Sequence, residues 1–512
     1  MDRLFVPLAS LFGASVDQVK LITYLLVSYP LGTLFIHIPS NRPELRHLFS
    51  TAITLLLFFP VLRLYGAFFQ LLGGSLATYY LAQYVHGPKK KCPGLSSRLV
   101  AMGHLIVNHV IRDIYKYGPY ETLEITGPQM VLTMKLTTFA WNVYDARQPL
   151  ADLDKWQTAK RITDFPTLLE FVGYSFYFPG IIVGPYLDYA EYMDLINETK
   201  FKNLVLKGKG GRNVPSGRKR AAYRKMLAGL VYLGVFVGFS SSWNYSISLT
   251  PWFVQQSLLF RIAVYQLCGV VERTKYYAIW TLTEGASILT GLGFTGISAS
   301  GDTLWTGAAN VDVLNIEFPS NFKIFFDSWN MKANVWLREC VYKRVTPKGK
   351  KPGFRSSMIT FMTSAFWHGI ASSYYLSFLT AGFITTIARL ARKNIRPILL
   401  PAPGSPPSLA KRAYDVLGTI VTVLLINYAS APHMLLDVEA SFATWARLGF
   451  YGHIIIGGGL AFFYSGGTKF FRRVQAKHAA AAAAAGGMTP VQEKQFMVPP
   501  TLDQIVPPPG DR

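Results

Sequence analysis

The chain has 512 residues, half of them hydrophobic, 14% aromatic and only 15% charged, against about 25% charged in an average soluble domain. Its mean hydropathy is positive, which excludes a string of soluble domains and points to lipid as the main solvent. A net charge of +23 would suit a nucleic-acid partner, but the basic residues sit in runs between apolar stretches: ten Lys and Arg with no acid from Lys200 to Lys225, then Lys343 to Arg355, Arg389 to Arg396 and Lys469 to Lys477. Such runs are what a positive-inside topology produces, and they also face anionic headgroups, so nucleic-acid binding is set aside.

A membrane crossing needs about 20 mostly apolar helical residues. In chain order the candidates are Leu21–Ile38, Leu48–Tyr65, Ala67–Val85, Leu168–Leu187, Tyr223–Phe239, Trp252–Val271, Tyr276–Gly296, Ser356–Ile387, Tyr414–Tyr428 and Ala446–Tyr464. Leu99–Ile111 and Gly127–Trp141 are shorter or more polar. The expected fold is an all-α integral membrane protein with about 11 transmembrane helices, some short, tilted or re-entrant. The N-terminus carries Asp2 and Arg3 and no small-residue cleavage site, so the first spanning segment is expected to do the targeting.

Two apolar stretches are interrupted, one by Pro179, Gly180, Gly184 and Pro185, the other by Gly291, Gly293 and Gly296. Broken helices survive in a membrane only where protein or a water-filled cavity satisfies the freed backbone groups, which predicts a chamber inside the bundle. The segment from about Asn321 to Val345 reads as one amphipathic helix at a membrane boundary or in a cavity, with Asn330, Asn334, Leu337 and Val341 on one stripe. The polytopic domain is expected over 1–475 with a basic loop at 197–222. The Ala- and Pro-rich tail, 476–512, has a composition that cannot build a core and is expected to be disordered.

Few residues are suited to chemistry. His368, in SAFWHGIASSYYLSF, is a titratable group deep in an apolar run. Such a group is costly there and marks function unless it merely ties helices together. An imidazole with a pKa near neutrality is suited to base chemistry, and Gly369 beside it leaves room for a substrate. Asn330 lies 38 residues earlier, across a basic loop. Its amide can donate to an acyl oxygen or accept from a nucleophile, or simply cap a helix. His37, His47, His86, His104, His109, His433 and His453 form no HxxxH or HExxH pair, and Cys92, Cys268 and Cys340 have no ligand spacing, so no metal site is expected. No GxSxG elbow, P-loop or dinucleotide fingerprint occurs. Structural pairing is the preferred reading for Lys135, Asp145, Glu170, Asp188 and Glu284.

The segments WNMKANVWLRECVYKRV and SAFWHGIASSYYLSF resemble the paired Asn and His motifs of the membrane-bound O-acyltransferases. Three further blocks, MVLTMKLTTFAWNVYDAR (130–147), FPTLLEFVGYSFYFPGIIVGPYLDYAEY (165–192) and RTKYYAIWTLTEGASILTGLGFTG (273–296), resemble the lysophospholipid branch, most of all its fungal broad-specificity members. The likeness covers roughly 15–470. It implies a reaction chamber, His368 and Asn330 as the catalytic pair, and a multi-pass protein of the endoplasmic reticulum membrane. It further implies acyl-CoA as donor substrate, a lysophospholipid as acceptor, and neither metal nor permanently bound cofactor. In the implied mechanism His368 deprotonates the lysophospholipid hydroxyl as it attacks the thioester, and Asn330 assists the oxyanion or orients substrate. Acceptors other than lysophospholipid (protein, sterol or diacylglycerol) would use the same fold, and a transporter would also explain broken helices and intramembrane charge. Headgroup and acyl-chain preference and oligomeric state are not encoded in any residue pattern.

Overall fold

The computed structural model describes residues 2–84, 93–115, 124–201, 214–347, 349–350, 352–401 and 405–484. Cys92, His86, the middle of the basic loop and the tail beyond 484 lie outside them.

Helices dominate. The first group is α1 (Asp2–Phe12), α2 (Val16–Phe35), α3 (Pro43–Leu56), α4 (Tyr65–Tyr84), α5 (Pro93–Tyr115) and α6 (Thr126–Ala146). Short helices follow: α7 (Lys155–Lys160), α8 (Leu168–Ser175) and α9 (Tyr189–Ile196). Next come α10 (Arg218–Phe239), α11 (Pro251–Gln255) and the 33-residue α12 (Leu258–Thr290). A small antiparallel pair, β1 (Gly296–Ile297) and β2 (Thr303–Leu304), precedes α13 (Val313–Glu317), α14 (Phe322–Ser328) and α15 (Met331–Leu337). The chain ends with α16 (Phe354–His368), α17 (Ser372–Asn394), α18 (Arg396–Leu399), α19 (Leu409–Leu435), α20 (Val438–Arg447), α21 (Tyr451–Phe462) and α22 (Thr468–Ala484).

The all-α expectation stands, but several boundaries move. Most of the two spans expected at Trp252–Val271 and Tyr276–Gly296 is one helix, α12 (Leu258–Thr290), with Trp252–Gln255 in the separate α11, because the charged residues between them are neutralised by neighbours rather than exposed in a turn. Arg273 makes a two-bonded pair with Glu317 (2.9 and 2.6 Å), and Lys275 pairs with Glu272 at 3.1 Å. Conversely, Ser356–Ile387 is two helices, divided at Gly369. Gly369 has φ 152°, a conformation L side chains avoid, and a Cβ there would lie 2.9 Å from the Tyr374 ring. The predicted helix 321–345 is also broken, at Trp329–Asn330, with a π-turn over Arg338–Tyr342. α22 continues to Ala484, into the Ala-rich stretch, alanine being the strongest helix former.

Among the described residues, three stretches are long and apolar enough to cross a membrane: Pro43–Val61, Arg218–Phe239 and Tyr451–Ala480. α1 and α2, bent by 102°, make a fourth if they form one broken span. The other long helices are less apolar: α6 carries Lys135 and Asp145, α12 carries Glu272, Arg273 and Glu284, and the uncharged α4 is rich in Tyr, Gln and Gly.

The expected span Leu168–Leu187 is helical only to Ser175, and the chain then runs irregularly through residues 176–188 while staying buried. Side chains from other helices meet its freed backbone groups. The Phe176 carbonyl accepts from Thr54 Oγ1 (2.7 Å), the Phe178 carbonyl from Tyr24 Oη, and the Phe178 N–H donates to Ser50 Oγ (3.2 Å). Lys135 Nζ donates to the carbonyls of Tyr174 and Ser175 (3.2 Å to the latter), placing a hydrogen-bond donor at the C-terminal end of α8. The other anticipated structural pairs are present: Asp145 with Arg344, Asp188 with Lys160, Glu284 with Lys225, and Glu170 in the capping box of α8.

α12 is the central post, packing most extensively on α10 and α2. The contact is close because small residues line it. A Cβ at Gly285 would lie 2.8 Å from the Ala222 carbonyl and would strike Tyr29 Oη, and one at Gly229 would lie 2.7 Å from Leu282 Cγ. G285A is therefore expected to destabilise by about 1–3 kcal/mol. This is measurable as a lowered unfolding temperature of the detergent-solubilised protein, with G234A, where a Cβ meets nothing within 4 Å, as the neutral comparison.

Candidate active site

A single cavity of about 2200 Å³ lies between α5, α6, the 182–186 segment, α12 and α14–α19, at least twice the usual small-molecule pocket of about 300–1,000 Å³. His368 and Asn330 both line it. The local sequence explains each position.

His368 is the last residue of α16, released from the helix by Gly369. Its ring sits in an aromatic nest: Trp367 edge-on at 4.7 Å between centroids, Phe378 stacked at 5.1 Å, Tyr374 at 5.8 Å and His433 edge-on at 4.8 Å. Trp367 is itself held by its indole N–H on the Met130 carbonyl (2.9 Å), and its own carbonyl lies 3.3 Å from His109 Nε2. The imidazole thus faces the cavity from a wall that is apolar on most sides.

Asn330 stands at the break between α14 and α15, in the left-handed region at φ 45°, ψ 53°, which Asn tolerates better than most residues. Although it occupies the N-cap position, its side chain makes no capping bond. The break is held from both sides. Trp329 is enclosed by Tyr276, Trp280 and Phe325, with centroids at 5.4, 5.2 and 6.3 Å. Asn334 donates to the Phe326 carbonyl at 2.9 Å. Of the stripe expected to hold Asn330, Asn334, Leu337 and Val341, the first three line the same cavity, Asn330 from outside the helix, while Val341 is buried in the π-turn and is off the lining.

Three lining residues escaped the sequence reading. His109 and His433 lie on the cavity wall with His368, brought there from α5 and α19, and neither sits in a motif that would single it out. Asn310, in the link between β2 and α13, is 4% exposed and bonded to the Asn330 side chain (3.1 Å). Nothing in the run TGAANVDV distinguishes it from a loop polar residue. Cys340 is buried beside Thr138 Oγ1 at 3.4 Å and is not on the lining.

Charge along the cavity is uneven. Near α15 the cations are matched: Lys343 meets Asp154 (2.7 Å) and Glu339 (2.6 Å), Arg338 meets Glu339 (2.8 Å), and Lys332 meets Glu191 (3.5 Å). Burial pushes the Glu191 carboxyl up, but Lys332 and Lys160 outweigh it and hold it at about 2. A depressed carboxyl pKa supplies stability above the ordinary carboxylate range and loses it as pH falls toward 2, so this contact is intact at neutral pH. At the end formed by α17, α18 and α19 the balance differs. Arg389, Arg392 and Arg396 line the cavity, half-buried and without a carboxylate partner among the described residues, beside Lys411, which pairs with Asp415 at 2.5 Å.

The sequence profile of MBOAT, the membrane-bound O-acyltransferase family, matches residues 47–431, a span that contains every lining residue discussed except His433. A lysophospholipid acyltransferase of Schizosaccharomyces pombe is 37% identical over 456 residues, covering 89% of this chain and 88% of the relative. One from Saccharomyces cerevisiae is 34% identical over 469 residues, covering 89% and 75%. The mouse membrane-bound glycerophospholipid O-acyltransferase 1 is 28% identical over 472 residues, covering 88% and 90%. With the profile spanning most of the chain and two fungal relatives above 30% identity, the chain belongs to the membrane-bound O-acyltransferase family.

Proposed function

We propose that the protein is a lysophospholipid acyltransferase that moves a fatty acyl group from acyl-CoA to the free hydroxyl of a lysophospholipid, with His368 as general base and Asn330 as oxyanion donor. The observation that carries the mechanism is the convergence of His368 and Asn330, from different helices, on one large cavity. The acceptor class rests on the names of the fungal relatives.

In this reading the hydroxyl oxygen attacks the thioester carbonyl while His368 takes its proton. The C–O bond forms, Asn330 donates to the developing oxyanion, and collapse breaks the C–S bond. The CoA thiolate leaves and recovers the proton from His368 directly or through water. No covalent enzyme intermediate, metal or resident cofactor enters the scheme. The cavity serves as the reaction chamber of a bundle of about 11 crossings in the endoplasmic reticulum membrane, in which helices with charged inner faces span alongside the apolar ones. The aromatic wall around His368 excludes bulk water and so guards the thioester from hydrolysis.

Acyl-CoA carries several phosphates, and among the described residues the arginines of α17 and α18 are a cluster of cavity cations without carboxylate partners. They receive the phosphates in this scheme. R392E is expected to raise KM for acyl-CoA about tenfold or more while leaving kcat and KM for the acceptor within about threefold. An unchanged donor KM removes this cluster from the scheme.

The deciding experiment is ester formation by detergent-purified protein given acyl-CoA and a panel of lysophospholipids, followed by free thiol release and lipid mass spectrometry. Acylation of a sterol, diacylglycerol or peptide with no turnover of any lysophospholipid would replace the acceptor. Solute flux into liposomes without ester formation would replace the reaction class.

A further inference from the structure

The amide of Asn330 has two faces of opposite character, an acceptor oxygen and a donor nitrogen, and its role depends on which one meets the substrate. The surrounding bonds decide this without relying on how the amide atoms are drawn. The backbone N–H of Lys332 can only donate, and it points at the side chain of Asn310 at 3.0 Å. Asn310 must therefore turn Oδ1 toward Lys332. Its Nδ2 is then directed at Asn330, 3.1 Å away, and requires an acceptor there, which is Asn330 Oδ1. The Asn310 carbonyl also accepts from the Met331 N–H at 2.9 Å, so the link containing Asn310 is bound to the first turn of α15 by backbone as well as side chain. Asn310 is 4% exposed, which shields these bonds from competing water.

We propose that Asn310 is a positioning residue that locks the Asn330 amide with Nδ2 free toward the cavity, making Asn330 a hydrogen-bond donor in the reaction and excluding its use as an acceptor for the lysophospholipid hydroxyl. This rests on Asn330 acting at the reacting carbonyl and adds the polarity of that action and the residue that sets it.

Three variants of the full chain test it, each with kcat and both KM values measured on acyl-CoA and a lysophospholipid, and with unfolding temperature recorded. N330D keeps an oxygen for Asn310 and replaces only the cavity-facing donor; kcat should fall about 100-fold or more, with KM values within about threefold and folding intact. N330G tolerates the left-handed backbone and removes the amide altogether; it should be as impaired as N330D. N310D still accepts from Lys332, but as a carboxylate it repels Asn330 Oδ1 and attracts Nδ2, turning the amide over. Its kcat relative to the unsubstituted protein, compared at each pH, should fall as pH rises and recover at low pH, where a protonated carboxyl can donate again. A merely structural Asn310 would show no such pH-dependent ratio. N310S, uncharged and too short to reach both partners, should lose about tenfold in kcat if N310D does not accumulate. N330D at near full rate with N330G inactive would show that the oxygen is the working atom and overturn the proposal. N310D with a flat ratio near one, or N310S at full kcat, would overturn the role of Asn310. Full activity in N330G would instead remove Asn330 from the reaction, a failure of the preceding reading that is distinguishable from both.

Discussion

H368A is expected to lower kcat about a thousandfold, within the range for loss of a positioned general base, while KM for acyl-CoA changes by less than about threefold. His368 ends its helix at a glycine whose φ of 152° only glycine adopts readily, so the imidazole projects from the helix end into the cavity. The ring is packed by Trp367, Phe378 and Tyr374 and has His433 at 4.8 Å. H368Q, which keeps size and polarity without basicity, should be as inactive as H368A. Steady-state acylation of a lysophospholipid, with thiol release as a second readout, checks both. Retention of more than a tenth of the activity in both variants would end the base assignment. H433A and H109A are the companions to measure, since both rings border the same cavity.

The second large effect falls on stability. Asp145, fully buried at the end of α6, makes two bonds to Arg344 (2.7 and 2.6 Å), whose guanidinium also lies 4.3 Å over the Trp141 ring. D145A leaves that guanidinium, 12% exposed, without its counter-charge. Breaking one side of a buried pair costs about 3–5 kcal/mol, so D145A should unfold many degrees lower in detergent and accumulate poorly. The double variant D145A/R344M removes both charges and should recover most of the loss. If D145A unfolds within a degree of the parent chain, the pair does not hold α6 to the segment after α15.

How much of this could be read in advance depends on which interactions act locally. α2, α4, α10 and α19 appear near their expected places because an unbroken apolar run of helical length has few alternatives in lipid. The merger of two expected spans into α12 could not be read, because whether Glu272, Arg273 and Lys275 end a helix depends on partners such as Glu317 and Asn427 that are remote in sequence. The break at Asn330 was hidden for a similar reason: the 321–345 pattern is amphipathic throughout, and only the tertiary packing of Trp329 and the bonds from Asn310 favour a left-handed residue in its middle.

By itself the sequence determined the solvent, the all-α class, and the two residues, His368 and Asn330, that stand out chemically, because composition, hydrophobic run length and an ordered set of motifs are properties of neighbouring residues. The tertiary structure alone decided that these two face one cavity, that His109, His433 and Asn310 join them, and that the cations near α15 are paired while, among the described residues, Arg389, Arg392 and Arg396 have no carboxylate partner. Each of those is a contact between segments tens to hundreds of residues apart, and the burial that makes it matter is set by packing rather than by any local pattern.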